Sequence, residues 1–181
     1  MPSNDDARPD TVISRKDRYD RVEDRDFDRD TVDPREKRFY LALEDEVVRA
    51  PSIGNKTASR LNDVGVTRVR DLLDADPDDL SQRLGVRHIS PQRIREWQAQ
   101  ARLVCTVPWL RGTHAQLLVG AGFPTADEIT GAEPGSVCAA ILKFAITRDG
   151  QSVLRSGPPP DVERITQWVE FAAQAEPARA A

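Results

Sequence analysis

The chain has 181 residues, 39% of them hydrophobic and 31% charged, enough for one ordinary domain or two small ones. A formal net charge of −4 argues against a strongly basic nucleic-acid binder, and no apolar run approaches the roughly 18 residues that span a bilayer. Two cysteines make no disulfide framework and the polar N-terminus is no secretory signal, so a reducing, cytoplasmic setting is expected, with no membrane partner.

Residues 1–38 alternate charge sign, as in "RKDRYDRVEDRDFDRD", with few apolar side chains. Such a segment buries too little surface to offset the entropy of ordering it, so a disordered polyampholyte tail is expected. "RFYLALEDEVV" (38–48) is the first apolar stretch and is expected to pack onto the folded part.

From Pro51 the punctuation is regular. Asn55 can cap a helix to about Val64, stopped by Gly65, and Thr67 can cap "RVRDLLDA". Asp76-Pro77 opens a third helix that stops at Gly85. Ser90-Pro91 opens a longer one with Ile94, Trp97, Ala101 and Val104 on one face. No segment alternates at period two, so the fold class is all-α.

The unit then recurs. A shift of 57 brings Pro51 onto Pro108, Ile53 onto Leu110, Ala58 onto Ala115, Leu61 onto Leu118, Gly65 onto Gly122, Leu72 onto Ile129 and Pro77 onto Pro134. Ile94, Trp97 and Ala101 recur at a shift of 71 as Ile165, Trp168 and Ala172. Copy two therefore carries about 14 extra residues within "KFAITRDGQSVLRSGPPPDVER", whose tri-proline reads as a rigid loop. The expected domains are a tail at 1–38, one unit at 39–105, a degenerate second unit at 106–176, and a short tail at 177–181.

A small-residue hairpin, then "GVTRVRDLLDADPDDL", then a second hairpin, resembles the tandem helix-hairpin-helix fold, a SAM-like helical bundle found in DNA-repair proteins, DNA ligases and the C-terminal domain of the RNA polymerase α subunit. Residues 47–175 are also similar to a bacterial domain-of-unknown-function family built from two such units, through "APSIGNKTA", "DLL", "REWQAQARL" and "LRGTHAQLLVGAGF". In some relatives such a module follows a catalytic domain; nothing of that kind is expected in residues 1–46. The resemblance carries no activity with it.

In DNA-binding members the hairpin reads Gly, aliphatic, Gly, then a basic residue, so that backbone amides approach a phosphate. The resemblance implies phosphate contacts at Ser52, Ile53, Gly54, Asn55, Lys56 and Arg60, with Arg87 and His88 of "LGVRHISPQRI" holding an adjacent phosphate. Ser52 stands where the first glycine is expected. The alternative is that Gly54 only serves a tight turn and Ile53 only plugs the core. Copy two departs further: Arg111 replaces Gly54 and Thr113 replaces Lys56, so phosphate binding does not carry over. Trp109 at its tip, with Arg111, is the candidate contact for a protein partner, or an intramolecular one.

Positive charge concentrates in copy one. Residues 49–111 hold eleven Lys/Arg against seven Asp/Glu, whereas residues 112–181 hold five against eight. His88 and His114 with Cys105 and Cys138 show no metal-ligand spacing, and no nucleophile–base grouping has local support. The sequence thus predicts a protein that is no enzyme and takes no cofactor. It is either a sequence-independent binder of double-stranded DNA or a protein-interaction module without a nucleic-acid ligand.

Overall fold

Asp76 and Ser90 open helices in the way their following prolines predict. In the computed structural model, which describes residues 36–155 and 157–179, the Asp76 carboxylate accepts the N–H groups of Asp78 and Asp79. The Ser90 hydroxyl likewise accepts the Arg93 N–H. Nine α-helices are present among the described residues: α1 (Asn55–Asp63), α2 (Val69–Asp74), α3 (Pro77–Leu84), α4 (Pro91–Thr106), α5 (Gly112–Gly120), α6 (Ala126–Gly131), α7 (Pro134–Ala145), α8 (Arg148–Leu154) and α9 (Val162–Ala172). A short 3-10 turn at Val47–Arg49 precedes them, and the extended backbone there makes a single antiparallel bridge, Glu46 with Arg68. None of these helices is long and apolar enough to cross a membrane.

Two helix starts fall one residue away from their expected caps. Gly54, not Asn55, is the N-cap of α1, and its carbonyl accepts the Ala58 N–H at 2.9 Å. That register turns Ala58 and Leu61 into the core. Arg68, not Thr67, precedes α2. Thr67 is held extended because its carbonyl accepts the Val47 N–H at 2.8 Å and its own N–H donates to Asp71 at 2.9 Å. Asp71 also accepts the Arg68 N–H at 2.8 Å. Burial alone would raise the Asp71 pKa, but the N–H groups of Arg68 and Thr67 and the Thr67 hydroxyl outweigh it and hold it below the ordinary value.

The repeat read from sequence is also a repeat of structure. The N-caps of α1, α2 and α3 (Gly54, Arg68, Asp76) return 57 residues later as Arg111, Thr125 and Glu133 before α5, α6 and α7. The cap of α4, Ser90, returns 71 residues later as Asp161 before α9. Ile94, Trp97 and Ala101 of α4 and Ile165, Trp168 and Ala172 of α9 are all buried, and Gly65 and Gly122 both adopt left-handed backbone at φ 84 and 97. The intervening insertion is not loop alone. It contains α8, which packs on α5 and α7. Gly150 lets it approach closely, since a Cβ there would collide with the Phe144 carbonyl and the Ala145 backbone.

The buried side chains of both copies form one continuous core that also takes in Leu41 and Val47, and burying each large apolar side chain contributes about 1.5–3 kcal/mol. The tail expected at 1–38 lies outside the described residues as far as residue 35. Lys37 and Arg38 are engaged: the Lys37 ammonium binds Glu176 at 2.7 Å, and the Arg38 carbonyl accepts the Trp109 N–H at 2.7 Å. The C-terminal segment is tied in as well, because Leu43 donates its N–H to the Arg179 carbonyl at 3.2 Å.

Candidate nucleic-acid interface

The first hairpin, 51–54, turns at Ser52 rather than at Gly54. Ser52 has φ 64, in the left-handed region, while Gly54 has φ −88. A non-glycine residue there is strained by about 1–2 kcal/mol, so something must hold it. The Ser52 hydroxyl donates to Gln100 Oε1 on α4 at 2.7 Å and accepts from Gln116 Nε2 on α5 at 2.9 Å. Gln100 is the one buried polar side chain among the described residues, 6% exposed. Two side-chain hydrogen bonds therefore hold the hairpin at a residue that is not glycine.

Ile53 is 5% exposed and plugs the core, as its aliphatic character predicts; its side chain is not part of an exposed surface. Gly54 is exposed, and a Cβ built on it would meet no atom within 4 Å. Neither backbone angle nor crowding requires glycine there, so the space before it is open. No side chain caps the N-terminus of α1, a nine-residue helix. Asn55, Lys56 and Arg60 are exposed on it. Lys56 and Arg60 stand at i and i+4, where like charges repel and weaken a helix by about 0.2–0.5 kcal/mol.

Most cations of copy one are spent inside the protein. Arg49 pairs with Asp45 at 3.0 Å, Arg83 with Asp79 at 3.4 Å, Arg93 with Glu96 at 2.9 Å and Arg95 with Asp78 at 2.7 Å. Arg68 and Arg70 both pair with Glu44. Among the described residues no ion pair involves Lys56, Arg60, Arg87 or His88.

Arg87 and His88 are exposed in the turn before α4, anchored by Ile89, whose carbonyl accepts the Ser81 hydroxyl at 2.8 Å. The first hairpin meets α4 at Gln100, ten residues beyond Ser90 and so roughly 15 Å along the axis at 1.5 Å per residue.

Copy two closes the corresponding surface. Arg60 is matched by Leu117, which is 1% exposed where α5 packs against α4, α7 and α8. Trp109, matching Ser52, also has left-handed backbone at φ 57 and packs against Phe171, ring centroids 5.3 Å apart. Phe171 matches Gln100 at the shift of 71. The same tip-to-helix contact is polar in copy one and aromatic in copy two. The Trp109 Nε1 atom is shut from solvent without an acceptor, and the Arg111 guanidinium lies 5.0 Å from the Tyr40 ring centre.

His114 stacks on Trp168 at 4.4 Å, and its Nδ1 accepts the Arg111 N–H at 3.3 Å. Burial, with the nearby positive charges of Arg111 and Arg164, pushes its pKa down to about 3. The imidazole is neutral at pH 7 and carries its proton on Nε2.

Residues 51–175 match the model of the family described as Domain of unknown function (DUF4332). That span is more than half of the 181 residues. The chain belongs to this family. The DUF4332 match begins at the first hairpin and ends just beyond α9, so it takes in both copies and the insertion. No curated protein and no solved structure matches the chain.

Gln100 and Gln116 were not legible as parts of this DUF4332 hairpin from local pattern. The repeat holds a signal for Gln100: the two shifts pair Ser52 with Trp109 and Gln100 with Phe171, marking one recurring contact.

Proposed function

We propose that this protein is a non-catalytic tandem helix-hairpin-helix module that binds nucleic acid through the phosphate backbone, without reading sequence. The observation that carries the proposal is the selective freedom of charge in copy one. Lys56, in the first turn of α1, whose N-terminus no side chain caps, and Arg60, one turn further on in its last turn, form no ion pair among the described residues, whereas Arg49, Arg68, Arg70, Arg83, Arg93 and Arg95 are paired.

In this reading the amides at Gly54–Lys56 face one phosphate, and Lys56 and Arg60 neutralise it. Arg87 and His88 hold an adjacent phosphate. Double-stranded DNA is the proposed ligand. The setting is cytoplasmic, in keeping with Cys105 and Cys138, which are free and buried.

The test is fluorescence anisotropy of a labelled random-sequence duplex titrated with the full chain at several salt concentrations. Three or four phosphate contacts give a log–log slope of about −3 to −4. Saturable binding with that slope, lost in Lys56→Glu, supports the proposal; absence of binding at low salt by the folded chain overturns it.

A second reading, a protein-interaction module centred on Trp109 and Arg111, is favoured by one feature, the partly exposed Trp109 ring at the tip of the second hairpin. It predicts binding that is insensitive to salt and to Lys56→Glu and is lost in Trp109→Ala.

A further inference from the structure

We infer that Gln116, which belongs to copy two, is a positioning residue for the phosphate-binding hairpin of copy one. The inference rests on the phosphate-binding reading of the Gly54, Asn55 and Lys56 amides; the Ser52 hydroxyl is taken up by the two glutamines and holds no phosphate. Three contacts carry it. Gln116 Nε2 donates to the Ser52 hydroxyl at 2.9 Å, and that hydroxyl donates to buried Gln100 Oε1 at 2.7 Å. The hydroxyl thus both accepts and donates, and each glutamine presents the group the chain of bonds requires. Beside it, a Cβ on Gly112 would lie 3.4 Å from the Pro51 ring, so copy two abuts the hairpin at a second point.

The strain at Ser52 gives this chain of bonds its function. A left-handed serine persists only where its surroundings hold it, and the tip determines where the Gly54, Asn55 and Lys56 amides point. Copy two has a buried leucine, Leu117, in place of the Arg60 cation. Its Gln116 supports the hairpin that kept its charges. The site is composite, built by both copies.

The test compares the full chain with Gln116→Ala, Ser52→Gly and the double variant, by duplex anisotropy and by denaturation midpoint. Gln116→Ala is expected to weaken binding about 3- to 10-fold, the worth of one hydrogen bond, with little change in midpoint. Glycine enters left-handed backbone without strain, so Ser52→Gly makes Gln116 dispensable and the double variant binds like the parent. Gln116→Ala binding like the parent, or a double variant as weak as Gln116→Ala, overturns the inference and leaves the phosphate reading standing. If the parent binds no duplex, the phosphate reading fails, and amide exchange at Ile53 and Gly54 decides the positioning: faster in Gln116→Ala and restored in the double variant supports it, unchanged overturns it.

Discussion

Ser52 and Trp109, 57 residues apart, adopt the same left-handed backbone, φ 64 and φ 57, at equivalent turns of the two copies. Each is held by the matching position of its own long helix, Ser52 by Gln100 and Trp109 by Phe171. The same turn geometry is held at two non-glycine residues, once through a hydrogen bond and once through an aromatic contact. Trp109→Ala removes the Phe171 contact and leaves an unsupported left-handed alanine. It is expected to lower stability by about 2–3 kcal/mol, somewhat less than truncation of a fully buried Trp. Urea denaturation followed by helical circular dichroism checks this.

Charge reversal in copy one separates binding from stability. Lys56→Glu and Arg60→Glu each change an exposed side chain without an ion pair among the described residues. Their unfolding free energies are expected to stay within about 0.5 kcal/mol of the parent, while duplex affinity falls steeply. Combining Lys56→Glu with a compensating change elsewhere is unnecessary; the chemical denaturation curve of the single variant is the control.

His114 makes stability depend on acid pH. The unfolded chain protonates this group near its ordinary 6.5, and the folded protein resists to about 3. The native state therefore binds fewer protons in that window, so the contribution of neutral His114 is full above pH 6.5 and is lost as pH falls toward 3. His114→Phe keeps a ring on Trp168 and cannot protonate. It is expected to flatten the acid limb by up to one proton, about 1.4 kcal/mol per pH unit. Denaturation at a series of pH values from neutral to 4 measures the slope.

Two glycines of copy two are expected to respond in opposite ways. Gly150→Ala sets a methyl against the Phe144 carbonyl and the Ala145 backbone, neither a flexible side-chain end, and should cost at least about 1–3 kcal/mol by overpacking. Gly135→Ala, in the first turn of α7 with nothing within 4 Å of the new Cβ, should stabilise by up to about 1 kcal/mol through reduced unfolded-state freedom. Thermal melts of the two variants side by side decide it.

Local chemistry by itself determined much of the architecture. Asp76-Pro77 and Ser90-Pro91 cap their own helices through bonds reaching two or three residues, and spacing alone placed Ile94, Trp97 and Ala101 on a buried face and repeated them in α9. Boundaries at Asn55 and Thr67 slipped by one residue because a distant segment, Asp45 to Val47, and the core fixed the register there. Helix α8 was hidden behind the tri-proline, since its seven residues gain their stability from docking on α5 and α7 rather than from propensity.

The state of the two hairpins was a tertiary decision. Nothing local to "PSIGNK" reveals that Ser52 is held by glutamines 48 and 64 residues away. Likewise, nothing local to "LRGTHAQLL" shows that α4, α7 and α8 cover the helix bearing Leu117 while Arg60 stays exposed. Caps and periodicity act over one or two turns of chain and can be read there. Which face stays open depends on what packs over it, and that is settled only when residues far apart in sequence share one core.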